Sequence, residues 1–113
     1  MHGDAESARP LFTDDVIWHV SGKGPLSGDY HGFDEIAAWG GRLYEQTNGT
    51  FREDLEGVVA DEHWAVQVAR FAASRGSRVI EDSSVNLFRL VDGRVAECWV
   101  VFGDRQAFDR FWS

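Results

Sequence analysis

From Thr50 to about Gly103 the chain alternates long runs of strand-forming residues with three tight turns, a pattern that leaves few folds open. Phe51 to Ala60 is closed by Asp61-Glu62-His63, Trp64 to Ser74 by Arg75-Gly76-Ser77, and Arg78 to Val91 by Asp92-Gly93, before a last strand begins at Arg94. Turns this short join antiparallel neighbours, so the segment is expected to be a long meander. Asp92-Gly93 is the firmest signal of the three, because a two-residue hairpin turn needs φ > 0 and glycine supplies it without strain.

The residues on either side read differently. Asp4 to Arg9 suits a short helix capped by Asp4 and stopped by Pro10 within two turns. Thr13-Asp14-Asp15 turns into Val16-Ile17-Trp18-His19-Val20, a β-branched and aromatic first strand. Four glycines and Pro25 then mark a loop from Ser21 to Gly32 that leads into a short second strand. From Phe33 the period changes. Ile36, Trp39 and Leu43 recur at helical spacing, Asp34 and Glu35 favour the first turn, and Asn48-Gly49 ends the one substantial helix. Arg105 to Trp112 is expected to form a last helical turn or two behind Asp104 as N-cap. Helices followed by a long antiparallel meander give an α+β fold, one domain over residues 1–113, with a cone-shaped curved sheet wrapped around the helices. The mouth of such a cone is a natural small-molecule site.

Composition narrows the partners. With 43% hydrophobic residues, five Trp and eight Phe among 113, the chain has ample material for a core, and disorder is excluded. Nineteen acidic against eleven basic residues give a net charge of −8, which repels a phosphate backbone, so no nucleic-acid partner is expected. Cys98 stands alone and forms no internal disulfide, which fits a reducing compartment. No apolar run approaches the ~18 residues of a membrane span, and Met1-His2-Gly3-Asp4 does not resemble a secretory signal. A cytoplasmic location without membrane association is the expectation. His2, His19, His31 and His63 lack metal-ligand spacing, so neither metal nor cofactor is expected.

The chain resembles a known family in Leu11-Phe12-Thr13-Asp14-Asp15-Val16-Ile17-Trp18-His19-Val20, in Gly24-Pro25-Leu26-Ser27-Gly28-Asp29-Tyr30-His31-Gly32, in Leu90-Val91-Asp92-Gly93-Arg94-Val95 with Glu97 and Trp99, and in Asp104 before Phe111-Trp112. In order and spacing these are similar to the SnoaL-like branch of the nuclear transport factor 2-like superfamily, with its cystatin-like cone. The resemblance implies a range of activities, from polyketide cyclases and ketosteroid isomerases to dehydratases and members that only bind or dimerise. Relatives carry a longer helix before the Gly3-Asp4 region, across the cone mouth. Only two residues precede Gly3 here, so that first helix is expected to be shortened or missing.

Two residues are candidates for proton transfer. On an alternating last strand Asp104 continues the file Ala96, Cys98, Val100, Phe102, so a carboxylate ends an apolar row where burial would raise its pKa. The resemblance implies the same role, since SnoaL-like cyclases use an aspartate near the end of this strand; helix capping is the other reading of Asp104. His19 ends the first strand, where the similar ketosteroid isomerases place their base, although a one-residue shift puts Val20 there. Trp18 and His19 are adjacent on a strand and cannot both face a pocket. For substrate contacts, Asn86 shares a face with Ser84, Phe88 and Leu90 and suits a hydrogen bond, ahead of Gln67 on the preceding strand. Trp18, Trp39, Phe88 and Phe102 are expected as pocket wall.

Taken together, these residues suggest a small cofactor-independent enzyme that cyclises, isomerises or hydrates an apolar carbonyl compound by acid/base catalysis. The alternative is a non-catalytic binding or dimerisation module of the same fold. A homodimer through the sheet is expected, because the last strand alternates Val95, Trp99 and Val101 with the apolar file and a lone cone buries only its inner face.

Overall fold

A computed structural model describes residues 2–112 of the chain, without the side chains of residues 2–5 and 105, so the expected cap at Asp4 lies outside the described residues. It is an α+β domain built on one six-stranded open sheet. A 3-10 helix spans His2–Leu11, with Pro10 inside it instead of ending it. Strand β1 covers Phe12–Val20, beginning earlier than the sequence suggests because Thr13-Asp14-Asp15 continues the strand. Strand β2 is Gly28–His31 and helix α1 is Gly32–Gln46. Strands β3 (Arg52–Ala60), β4 (Trp64–Arg75), β5 (Arg78–Val91) and β6 (Arg94–Phe102) form the expected meander, and helix α2 is Arg105–Trp112.

The turns follow from their residues. At Asp92 and Gly93 φ is 51° and 78°, so both central residues take the left-handed conformation a two-residue hairpin turn requires. The β3–β4 turn is closed by Asp61, whose Oδ1 accepts hydrogen bonds from the His63 and Trp64 backbone N–H groups at 2.8 Å each. Those backbone donors hold the Asp61 carboxyl below its usual range.

The strand order is β2-β1-β6-β5-β4-β3. Most pairs are antiparallel, but β1 runs parallel to β6, with Trp18 beside Cys98 and Val20 beside Val100. These two strands lie at opposite ends of the sequence, so no hairpin dictates their relative direction. Register shifts at Phe12/Ile17, Leu55/Gly57 and Arg89/Leu90 bend the strands and curve the sheet.

Both helices cover the concave face, α1 against β1 and β2, α2 against β5 and β6. In α2, Phe108, Phe111 and Trp112 are all buried, packed with Phe71, Ile80 and Leu26. Phe108 is 1% exposed and stacks on Phe102 with ring centroids 3.7 Å apart. The loop after β1 is tied to this helix, since Lys23 N–H and Gly24 N–H donate to the Asp109 carboxylate at 3.1–3.2 Å. Gly22 leaves room for that contact; a Cβ there would stand 2.5 Å from Asp109 Oδ1.

Candidate functional site

Between the concave face and the two helices lies a cavity of about 130 Å³. Its wall is mainly aromatic and aliphatic. Trp18 comes from β1, Trp39 and Leu43 from α1, Phe71 from β4, Phe102 from β6 and Phe108 from α2. Trp39 is fixed by its indole N–H, which donates to Leu26 O at 3.1 Å; the Tyr30 hydroxyl donates to the same carbonyl at 2.7 Å. Helix α1 thereby holds one wall in a set position.

The polar part of the lining is small. Ser84 and Asn86 enter from β5 at alternate positions, and Glu53 from β3. Asn86 Nδ2 donates to Gln67 Oε1 on β4 at 3.0 Å, joining the two amides weighed in the sequence. Asn86 is buried, and its Oδ1 has no hydrogen-bond partner among the described residues; neither has Trp18 Nε1. An unpartnered buried polar atom costs roughly 1–3 kcal/mol, which a ligand oxygen or hydroxyl reaching it would recover.

Glu53 is the one ionisable side chain among the lining residues. Strand β3 is exposed along its length as a sheet edge, yet the Glu53 carboxyl turns inward beside Ser84, whose hydroxyl donates to it at 3.5 Å. Burial of the carboxyl raises its pKa, and the long Ser84 hydrogen bond opposes this only weakly. Glu53 is absent from the sequence-based candidates, although it was accessible to the same reasoning that selected Asp104. Phe51, Glu53 and Leu55 alternate as apolar, acidic, apolar.

Strand parity resolves Trp18 against His19 in favour of Trp18. His19 faces the opposite side of the sheet from the cavity, where its ring stacks on Trp99 with centroids 5.4 Å apart. There Nδ1 lies 2.8 Å from Asp29 Oδ1 and Nε2 lies 2.6 Å from Glu97 Oε2. Both ring nitrogens can donate to these carboxylates only when both carry protons, so the arrangement favours the imidazolium. Partial burial pulls the His19 pKa down, but the hydrogen bonds to Glu97 and Asp29 outweigh it and the net shift is upward. Glu97 is held low in turn, by His19 first and by Arg89, whose Nε lies 3.2 Å away. As a base within the pocket His19 is therefore corrected to a charged clamp on the outer face.

Asp104 also lies outside the cavity. The strand ends at Phe102, where Gly103 N–H donates to Ser83 O at 2.9 Å, and Asp104 N–H then donates to Asp82 Oδ2 at 2.7 Å. The alternation that would have pointed Asp104 inward stops there. Its Oδ1 instead accepts from Ala107 N–H at 3.0 Å, and its carbonyl from Phe108 N–H at 3.1 Å, as the N-cap of α2. Of the five expected substrate contacts, Trp18, Asn86, Phe102 and Trp39 line the cavity. Phe88 does not; it packs behind Trp18, centroids 6.1 Å apart, near the buried Cys98, whose thiol pKa burial pushes up.

Among the described residues no group of three or more His, Cys, Asp and Glu side chains is placed to hold a metal ion, and no helix is long and apolar enough to cross a membrane.

Residues 1–98 match the family model described as SnoaL-like domain. Among solved structures, Bal32a from a soil-derived mobile gene cassette is 31% identical, covers 98% of this chain and 86% of its own, and superposes with a TM-score of 0.92. A Xanthomonas campestris protein of unknown function with a cystatin-like fold is 27% identical, with 98% and 87% coverage and a TM-score of 0.87. An uncharacterized protein of Mycobacterium tuberculosis is 29% identical over 112 residues, which is 98% of this chain and 86% of the relative.

Proposed function

Because this chain belongs to the SnoaL-like family, which includes polyketide cyclases, we propose that it is a small cofactor-independent enzyme acting on an apolar carbonyl compound. The compound enters the cavity beneath α1 and α2 and is cyclised, isomerised or hydrated there by acid/base catalysis. The observation that carries this reading is the lining itself, an aromatic and aliphatic wall whose polar members are Glu53, Ser84 and Asn86. That is the usual make-up of a small-molecule site, in which apolar surface binds and a few polar groups orient.

A non-catalytic binding module is the second reading, and one observation favours it. Asp104 caps a helix and His19 is clamped on the far face, so the two groups expected to move protons are both outside the cavity. A panel of small ketones and phenols separates the two readings. Ligands of the cavity raise the melting temperature by mass action in either case. Conversion of a bound ketone, followed by NMR, supports the enzyme; binding without conversion across the panel returns the protein to a carrier or sensor.

The outer sheet face supports a homodimer. Val59 is 77% exposed and Val101 51%, and Val68, Val85 and Trp64 share that face, an apolar surface lacking cover within one chain. A second copy laid on it would bury this patch while leaving the cavity free on the other side.

A further inference from the structure

We propose that Glu53 is the catalytic proton-transfer group of the cavity, acting on a compound that inserts a single six-membered ring and presents a carbonyl oxygen to the unpartnered indole N–H of Trp18. This rests on the reading of the cavity as the ligand site and adds both the residue and the size of the ligand.

The size follows from volume. About 130 Å³ is close to the ~150 Å³ of an apolar cavity known to admit benzene, so the cavity is sized for one ring. The residue follows from elimination and position. Glu53 is the one lining side chain able to exchange a proton near neutral pH, and it sits on the exposed edge strand β3, so solvent can replenish its proton. Its raised pKa, caused by burial, brings it nearer to that working range. Ser84 Oγ lies 3.5 Å from the carboxyl and Asn86 Nδ2 donates to Gln67, so the donors of both are turned to protein partners, leaving Trp18 Nε1–H for the ligand.

The step is redox-neutral. The Glu53 carboxylate takes a proton from the carbon next to the carbonyl. The C–H electron pair becomes a C=C bond, and the carbonyl π pair moves onto oxygen, which accepts a hydrogen bond from the unpartnered Trp18 Nε1–H. Returning the proton to the same carbon restores the ketone, and returning it elsewhere on a conjugated ligand isomerises it.

Exchange of the α-protons of cyclohexanone in deuterated water tests this without knowledge of the natural substrate. NMR follows the exchange, and tryptophan fluorescence follows binding of the same ketone. The wild type is expected to accelerate exchange. Glu53→Gln should lose about 10²-fold or more of that acceleration with binding unchanged, and Glu53→Asp should recover part of it. Asp104→Asn should match the wild type. Equal exchange by Glu53→Gln, or binding by the wild type without acceleration, overturns the role of Glu53 while leaving the cavity as a ligand site. Absence of cyclohexanone binding overturns both. A two-ring ketone bound as tightly as cyclohexanone overturns the one-ring limit.

Discussion

Replacing Asp104 separates capping from chemistry at the residue that looks most catalytic in the sequence. In the structure its Oδ1 takes the Ala107 N–H at 3.0 Å, satisfying one of the donors a helix start leaves open. Asp104→Ala removes that acceptor at a cost of about 1 kcal/mol. For 113 residues, at about 2.1 cal/mol/K of unfolding entropy per residue, this corresponds to a fall in Tm of about 4 °C. Asp104→Asn keeps the acceptor and loses only the charge at the helix N-terminus, worth roughly 0.3 kcal/mol at an exposed site, or about 1 °C. Urea titration of both variants, with the midpoint shifting at constant slope, measures the two differences directly. The consequence reaches the cavity, because α2 carries Phe108 into its wall. Activity in the Asn variant should therefore equal the wild type. An Asn variant that loses as much stability as Ala, or one of full stability without activity, would refute the assignment of Asp104 as a cap alone.

Phe108→Ala should destabilise by about 3–5 kcal/mol in chemical denaturation, since Phe108 is 1% exposed and stacked on Phe102, and a loss under 1 kcal/mol would mean the α2 contact is loose. Two sites make stability depend on pH. Glu53, whose folded pKa is raised, makes stability fall as pH rises from the ordinary carboxylate range through that raised value, and Glu53→Gln should remove this slope. The His19–Glu97 pair contributes below the ordinary histidine pKa, is lost as pH rises through the raised value of His19, and is lost again as pH falls through the lowered value of Glu97. Urea midpoints of wild type and Glu97→Gln across pH 3 to 9 check the pair, in which the variant should show no acid-side loss and a smaller alkaline one, since Asp29 still faces His19. Sedimentation at micromolar concentration should give a dimer, and Val85→Glu with Val101→Glu should give a monomer of unchanged fold; a wild-type monomer of 12.7 kDa would count against the dimer.

The meander was legible because its determinants are local. Asp92-Gly93 needs its left-handed conformation whatever surrounds it, and β5 has the bounds its turns imply. The start of β1 was not, because Thr13-Asp14-Asp15 reads as a turn by composition but lies in strand between two stretches paired to distant β6, Phe12 beside Val95 and Ile17 beside Glu97. The same non-locality governs the site. Trp18, Asn86, Phe102 and Trp39 were found from alternation and helical spacing, which depend on their own elements. Facing the cavity at position 18 and not 19 depends on partners dozens of residues away, as does the clamp of His19 by Glu97. Asp104 was misplaced by extending strand alternation past Gly103, where the chain has already turned into a helix. Glu53 was missed because charged Arg52 and Asp54 flank it on an exposed edge strand, although its alternation with Phe51 and Leu55 was open to the reasoning that selected Asp104.

The most direct test of the cavity as the functional site uses the tryptophans as reporters. In a ¹H–¹⁵N NMR titration with cyclohexanone the indole N–H signals of Trp18 and Trp39, which line the cavity, should shift together and saturably. Those of Trp64 and Trp99, on the outer face, should stay in place. Shifts confined to Trp64 and Trp99, or a titration in which Trp18 and Trp39 do not move, would contradict the account.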